Sequence, residues 1–314
     1  MELTGFHHLT AITADARANK RFMTEVLGLR LVKRSVNQDD PSAYHLFFAD
    51  GRGRPGTDIT FFTWPVGRER RGTNAITRTG LVVPAGSLDY WIWRLADEWL
   101  PRSARRIVDG HSSVDFEDIE GQRYRLVEAD AAATGPTWEY SPIPAAYQII
   151  GLGPITLSVP DIAPTRALFC DILNMQPAGS YADPDDIGRT EVFRMGGGGL
   201  DARLHVTAEA GSPVAHQGAG AVHHLAFRTP DAERLAEWKA WIESYGIRVS
   251  DIIDRHYFRS IYFRDPSGIQ LEIATDGPGF EVDEPAENMG EKLILPPWLE
   301  SRRDEIVGAL PVID

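Results

Sequence analysis

The chain carries two histidine pairs in the same local setting, Phe6-His7-His8-Leu9-Thr10 and Val222-His223-His224-Leu225-Ala226. Later, Ile269, Leu271 and Ile273 alternate with Gln270 and Glu272. Successive side chains of a strand point to opposite faces, so the three apolar residues pack on one side and Glu272 faces the other, into a concave cavity. A carboxylate there is costly unless something positive meets it. Two imidazoles and one carboxylate on rigid strands, with positions left open for substrate, form the facial set that suits non-haem Fe(II), and also Mn, Ni or Zn. We therefore expect one divalent metal on His8, His224 and Glu272.

Other residues are expected around that centre. Regular alternation puts His7 and His223 on faces opposite to His8 and His224, touching the site only near the frayed strand starts; either is a candidate acid or base. Tyr262 lies opposite Ile261 and Phe263, on the cavity face, where its phenol is expected to donate to, or protonate, a bound substrate. Thr10 shares the face of His8. Arg255 and Tyr257 precede the Tyr262 strand in a loop and are expected to close over the mouth and contact substrate, the alternative for both being a solvated surface. The run Gly196–Gly199 lacks the GKS or GxGxxG context of a phosphate cradle.

These residues need rigid strands, and the chain supplies them by repetition. A short apolar strand, a polar cap, an amphipathic helix and further strands recur at roughly seventy to seventy-five residues. The opening strands are Phe6–Thr13, Arg78–Val83, Ile155–Val159 and Val222–Thr229, with caps at Asp15, Ser87, Asp161 and Asp231. Helical spacing puts Leu88, Trp91, Ile92 and Leu95 on one face, and Leu235, Trp238, Ile242 and Tyr245 on another. The spacing thus predicts an α+β protein of four βαβββ modules forming two half-barrel pairs. Residues 1–130 form an N-terminal pair of modules in sequence, 150–275 a C-terminal pair, and 276–314 a tail. Ala131–Tyr147, where Ala, Thr and Pro replace the periodic pattern, is the expected boundary.

The first and fourth modules carry the histidine pairs, whereas Thr79-Gly80-Leu81 and Gly153-Pro154-Ile155 stand at the equivalent places in the second and third. The position of Glu272, four past a turn glycine, is Thr60 in module one and Arg125 in module two. Modules one and four must then pair around the metal, leaving two and three to form a metal-free barrel.

Composition narrows the function. Lys plus Arg number 32 against 45 Asp plus Glu, a net charge of −13, so the surface should repel polyanions and anionic membranes. No nucleic-acid or membrane partner is expected. No basic-then-apolar leader and no bilayer-length apolar run is present, so a cytoplasmic location is expected. Cys170, the single cysteine, excludes an intrachain disulfide and a thiolate cluster, and its helical setting reads as a small core residue.

With these residues in hand, the chain resembles the vicinal-oxygen-chelate superfamily, which includes glyoxalase I, bleomycin-resistance proteins and extradiol ring-cleaving dioxygenases. The resemblance covers nearly the whole chain. It is nearest to the hydroquinone and chlorohydroquinone ring-cleaving dioxygenases on HHLT at His7–Thr10, LGLRLVKRSVNQDDPSAYHLFFAD from Leu27, HHLAF at His223–Phe227 and YFRSIYFRDPSGIQLE ending at Glu272. It implies the vicinal-oxygen-chelate fold, Fe(II) on His8, His224 and Glu272, and supporting roles for His7, Thr10, His223, Arg255 and Tyr262. A small aromatic substrate and O2 are the partners implied, and a homo-oligomer is compatible with this reading. Catechol-type extradiol enzymes place both histidines and the acid in the second half of the chain, where this sequence has Pro154. Two chemistries stay open: an oxygenase that cleaves a hydroquinone or related dihydroxylated ring, and a glyoxalase-type isomerase or lyase that uses the metal as a Lewis acid. Non-catalytic binding of an aromatic ranks last, since the ligand set is complete.

Overall fold

The computed structural model describes residues 1–130, 133, 135–185 and 188–313. Ala131, Ala132 and Thr134 of the expected boundary segment lie outside the described residues. The four expected modules are present. The first contains β1 (Phe6–Thr13), β2 (Arg30–Val36), β3 (Tyr44–Ala49) and β4 (Asp58–Thr63). The second contains β5 (Ala75–Val83), β6 (Arg106–Val108), β7 (His111–Glu117) and β8 (Arg123–Glu128). The third contains β9 (Gly151–Val159), β10 (Gln176–Ala182), β11 (Arg189–Arg194) and β12 (Arg203–Ala208). The fourth contains β13 (Val222–Thr229), β14 (Ile253–Asp254), β15 (Phe258–Arg264) and β16 (Gln270–Pro278).

One eight-stranded sheet runs β14-β15-β16-β13-β1-β4-β3-β2, the other β10-β11-β12-β9-β5-β8-β7-β6. Modules one and four thus share a curled sheet across the antiparallel β1–β13 pair, and modules two and three share the other across β5–β9. Each sheet draws one module from residues 1–130 and one from 150–275.

The helices α1 (Ala16–Arg21), α2 (Leu88–Asp97), α3 (Ile162–Ala167) and α4 (Ala232–Ser244) cover the convex faces. Asp15, Asp161 and Asp231 accept from the backbone N–H of Ala18, Ala163 and Arg234, satisfying donors that a helix start leaves bare. Ser87 does not cap. The Pro84-Ala85-Gly86 turn brings it to helical angles, its hydroxyl donates to the Pro84 carbonyl, and Glu128 accepts from Leu88 instead. Trp91 and Trp238 are fully buried, as their stripes require. Tyr245 lies beyond the end of α4, exposed and edge-on to Trp241, so the buried stripe stops at Ile242. Cys170 is half-buried at the core's edge. Among the described residues no helix is long and apolar enough to cross a membrane.

The cross-strand register corrects one equivalence. Thr79 pairs with Ile155 as Leu9 pairs with Leu225, and Arg78 pairs with Thr156 as His8 pairs with Ala226. Arg78, not Gly80, therefore matches His8, because β5 and β9 slip register on both sides of this pair. By the same logic His205, beside Thr156, matches Glu272, beside Ala226. Ion pairs and hydrogen bonds fill this second concave face: Arg125 forks Asp115 at 2.6 and 2.8 Å, Arg78 reaches Asp185 at 3.3 Å, and His205 meets the Tyr181 hydroxyl at 2.9 Å.

The tail is part of the first sheet's interior. Phe280 and Met289 pack with Val32, Phe47, Tyr257 and Phe258 on the concave side, closing one end of the half-barrel. The fully buried Lys33 meets Asp283 at 2.6 Å and also Glu284. Arg30 donates to the carbonyls of Ala286 and Glu287. Farther on, Leu295, Leu299 and Ile306 pack on Val36. Removing one partner of a buried ion pair strands the others, so Lys33→Ala should lose about 3–5 kcal/mol in urea unfolding, and Lys33→Met, which keeps the packed stem, the same charge term but less cavity. Stability unchanged in both variants would show that the tail is not held by this pair.

Candidate metal centre

β16, β13 and β1 are adjacent in the middle of the first sheet, and each contributes one donor. Glu272 pairs with Ala226, two residues from His224, while His224 pairs with Thr10, two residues from His8. Alternation then turns Glu272, His224 and His8 to the concave side, with Leu225, Leu271 and Ile273 in the core behind. All three side chains are buried, and one ligand atom of each lies within 4.8 Å of the others. Glu272 Oε2 is 2.9 Å from His224 Nε2 and 3.4 Å from His8 Nε2. Burial opposes ionisation of Glu272, but His8 and His224 outweigh it and hold the carboxyl well below its usual range.

Each imidazole is aimed by the histidine before it. His7 Nδ1 is 2.9 Å from His8 Nδ1, and His223 Nδ1 is 2.7 Å from His224 Nδ1. One nitrogen of each contact carries the proton, and placing it on His8 and His224 leaves their Nε2 lone pairs toward Glu272. The expectation that His7 and His223 face away is corrected here. His7 is the extra residue between the pairs Phe6–Phe227 and His8–Ala226, and His223 the extra one between Thr10–His224 and Ala11–Val222. Two bulges, not frayed strand starts, bring these side chains beside their neighbours. Burial, with the adjacent imidazole second, pushes both His7 and His223 down to about 3, so both are neutral.

A cavity of about 350 Å³ opens in front of the three donors. His8, His224, His223, Tyr262 and Arg255 form one side, and His45, Phe62 and Trp64 the other. Arg255 Nε donates to the Tyr262 hydroxyl at 3.1 Å, and its Nη2 meets Asp39 at 3.0 Å. Burial and the Glu272 charge raise the Tyr262 pKa, so the phenol keeps its proton. Arg255 is thus at the mouth, as expected. Gln38, which donates to the Arg255 carbonyl at 2.9 Å, and Asp40, which accepts from Trp64 at 3.1 Å, fasten the loop after β2 over the opening.

Two expected substrate contacts lie elsewhere. Tyr257 is only 2% exposed and faces the floor, its ring edge-on to Phe47 and beneath Lys33 Nζ. The tail covers it, which the local sequence did not signal. Thr10 shares the face of His8 but is fully buried, its hydroxyl accepting from Thr60 at 2.9 Å. Sequence reasoning also missed three groups. Ser260 donates to Glu272 Oε1, steering the other oxygen to the histidines, and its place two residues from Tyr262 was the available signal. Asp58, cross-strand from His8, is buried with no side-chain hydrogen bond among the described residues, and burial pushes it up to about 7. His45 lines the cavity from β3.

The donor set fits a divalent ion. Glu272 Oε2 is sealed from solvent with no hydrogen bond among the described residues, and the two imidazole nitrogens nearest it are acceptors once the bulge histidines fix their tautomers.

Comparison with known proteins adds a family context. The family model for the Glyoxalase/Bleomycin resistance protein/Dioxygenase superfamily matches residues 5–57 and 151–273. The chain is 40% identical over 316 residues to MhqA, a candidate ring-cleaving dioxygenase of Bacillus subtilis (strain 168), covering 100% of both chains. It is 29% identical over 317 residues to the chlorohydroquinone/hydroquinone 1,2-dioxygenase of Sphingobium indicum, covering 98% of this chain and 95% of that one. The crystal structure of a candidate dioxygenase from Bacillus subtilis superposes with a TM-score of 0.93 at 35% identity, covering 100% of this chain and 98% of that chain.

If the three donors act as one ligand set, metal analysis of the purified protein will find one divalent ion per chain, as a single cluster of this type predicts. His8→Ala, His224→Ala and Glu272→Ala should each lower that content and weaken binding by about tenfold or more. Full stoichiometry in any of the three would remove that residue from the ligand set.

Proposed function

The chain belongs to the Glyoxalase/Bleomycin resistance protein/Dioxygenase superfamily, and from that premise we propose that it is an Fe(II)-dependent dioxygenase that cleaves a hydroquinone ring. The observation that carries the proposal is the convergence of His8, His224 and Glu272 within 4.8 Å at the wall of a cavity flanked by aromatic rings. The full-length likeness to ring-cleaving relatives supports the same reading.

In this proposal His8, His224 and Glu272 hold the ion. When bound, Fe(II) supplies the one-electron chemistry that lets O2 react with an aromatic ring and favours the ionised form of a hydroxyl that meets it. The protein's own groups do the rest. Phe62 and Trp64 give the ring an apolar wall. Tyr262, held in line by Arg255 Nε and protonated at rest, would donate a hydrogen bond or its proton to a substrate oxygen in the cavity. His223, neutral and lining the cavity, is engaged through Nδ1 with His224 and so presents its Nε2–H as a hydrogen-bond donor to a substrate oxygen. His7 does not reach the cavity, and its contact with His8 suits a role in orienting that ligand.

A catechol meets a metal through two adjacent oxygens, whereas a hydroquinone offers one and needs the protein to hold the other. The wealth of polar groups around this cavity favours the hydroquinone.

The test is oxygen uptake by the Fe(II)-loaded enzyme with hydroquinone, methylated and chlorinated hydroquinones, and catechols, each repeated without O2. Hydroquinones should consume O2 as the ring opens, and turnover should stop anaerobically. Faster cleavage of catechols would overturn the substrate, and unchanged anaerobic turnover the reaction. Tyr262→Phe should keep its metal and lose about a hundredfold or more in turnover, the usual scale of a positioned acid. Normal activity in that variant would reduce Tyr262 to packing.

A further inference from the structure

We propose that His45 recognises the substrate hydroxyl remote from the metal, accepting its hydrogen bond through Nδ1 while Thr60 and Thr10 lock the imidazole in the Nε2–H tautomer. The inference rests on the hydroquinone reading, which leaves that second hydroxyl without a metal bond.

The lock can be followed atom by atom. Thr60 Oγ1 donates to Thr10 Oγ1 at 2.9 Å, and a hydroxyl has one proton to give. At 2.8 Å, His45 Nε2 must therefore be the donor to Thr60 Oγ1. A neutral imidazole that donates through Nε2 carries a bare lone pair on Nδ1. Nδ1 has no hydrogen-bond partner among the described residues, and the ring lines the cavity. Burial, followed by the nearby His8 and His224, keeps His45 well below the usual histidine range, so the ring is an acceptor and not a cation.

Position favours the same role. Along β3, Leu46 and Phe48 enter the core, which turns His45 and Phe47 to the concave side. The ring is clamped by Phe47 and Phe62 at 3.9 and 4.5 Å between centroids, so the lone pair has a fixed aim. β3 is two strands from β1, about 10 Å across the sheet at ordinary strand spacing. His45 therefore lines the cavity from a strand set apart from those that carry the three donors. On the near side Tyr262 is already engaged with Arg255, and Arg255 with Asp39.

The test compares two probes on the metal-loaded enzyme under anaerobic conditions, where binding is read without turnover. Hydroquinone carries the second hydroxyl; 4-methylphenol replaces it with a methyl group. His45→Phe keeps a ring between Phe47 and Phe62 and should weaken hydroquinone about tenfold while changing 4-methylphenol less than about twofold, as loss of one hydrogen bond predicts. Thr60→Val frees the tautomer without removing the ring, and should shrink the preference for hydroquinone in the same direction. It also reports if the Phe variant fails to fold. Equal losses for both probes, or none, would overturn the role of His45. Oxygen uptake by the wild type is measured in parallel. Uptake with hydroquinone alongside equal losses sinks His45 alone, and no uptake with hydroquinone sinks the hydroquinone reading together with this inference.

Discussion

A fully buried carboxylate sets the terms for the whole first sheet. Left unpaired, the charge of Glu272 would be intolerable in that position. Ser260 donates to one of its oxygens, and the other lies 3.4 and 2.9 Å from Nε2 of His8 and His224, where a divalent ion held by all three would supply the missing positive charge. Bringing two imidazoles there requires β13 and β1 to be neighbours, which in turn requires the first and last modules of the chain to share a sheet. Their imidazoles are useful only if the outer nitrogens are aimed, and the two bulges supply the aiming groups within the same strands. The pairing of distant modules is therefore the geometry that the acid demands.

The second sheet solves the same problem differently. Arg78 stands where His8 does, His205 where Glu272 does, and Arg125 is neutralised by a bidentate contact to Asp115. Those inward polar groups lie against one another as ion pairs and hydrogen bonds, with Tyr181 meeting His205 Nδ1. The convex faces have kept one recipe, a helix with buried aliphatic and tryptophan residues, because any sheet of this kind must be covered. The concave faces have diverged because a half-barrel fixes only that they be filled.

Much of this was legible in the residues. The alternation around Glu272 needs only the period of a strand, and the repeated His-His dipeptide marked modules one and four as partners before any pairing was seen. What escaped was whatever depends on register or on distant chain. A bulge adds one residue and reverses the expected face, so His7 and His223 were sent to the wrong side. The same sensitivity put Gly80 where Arg78 belongs. Tyr257 was expected at the mouth because nothing near it announces that Phe280, from beyond the last module, will cover it. His45 escaped for another reason: between Tyr44 and Leu46 it reads as an ordinary polar position on a half-buried strand, and only the fold sets it opposite the donors.

The charge balance of the cavity ties the ligand set to the kind of substrate it suits. A divalent ion held beside the single carboxylate of Glu272 would retain one positive charge, which one ionised hydroxyl would neutralise. Among the described residues lining the cavity, Arg255 is the one guanidinium or ammonium group, and Asp39 already answers it. His45 and His223 are neutral. A second negative group on the substrate would therefore meet no uncompensated cation, and burying it would carry the usual desolvation penalty. A neutral aromatic that ionises at one oxygen and keeps its other hydroxyl protonated meets each of these conditions at once, and that second hydroxyl is the form in which it can still donate a hydrogen bond to an imidazole across the ring.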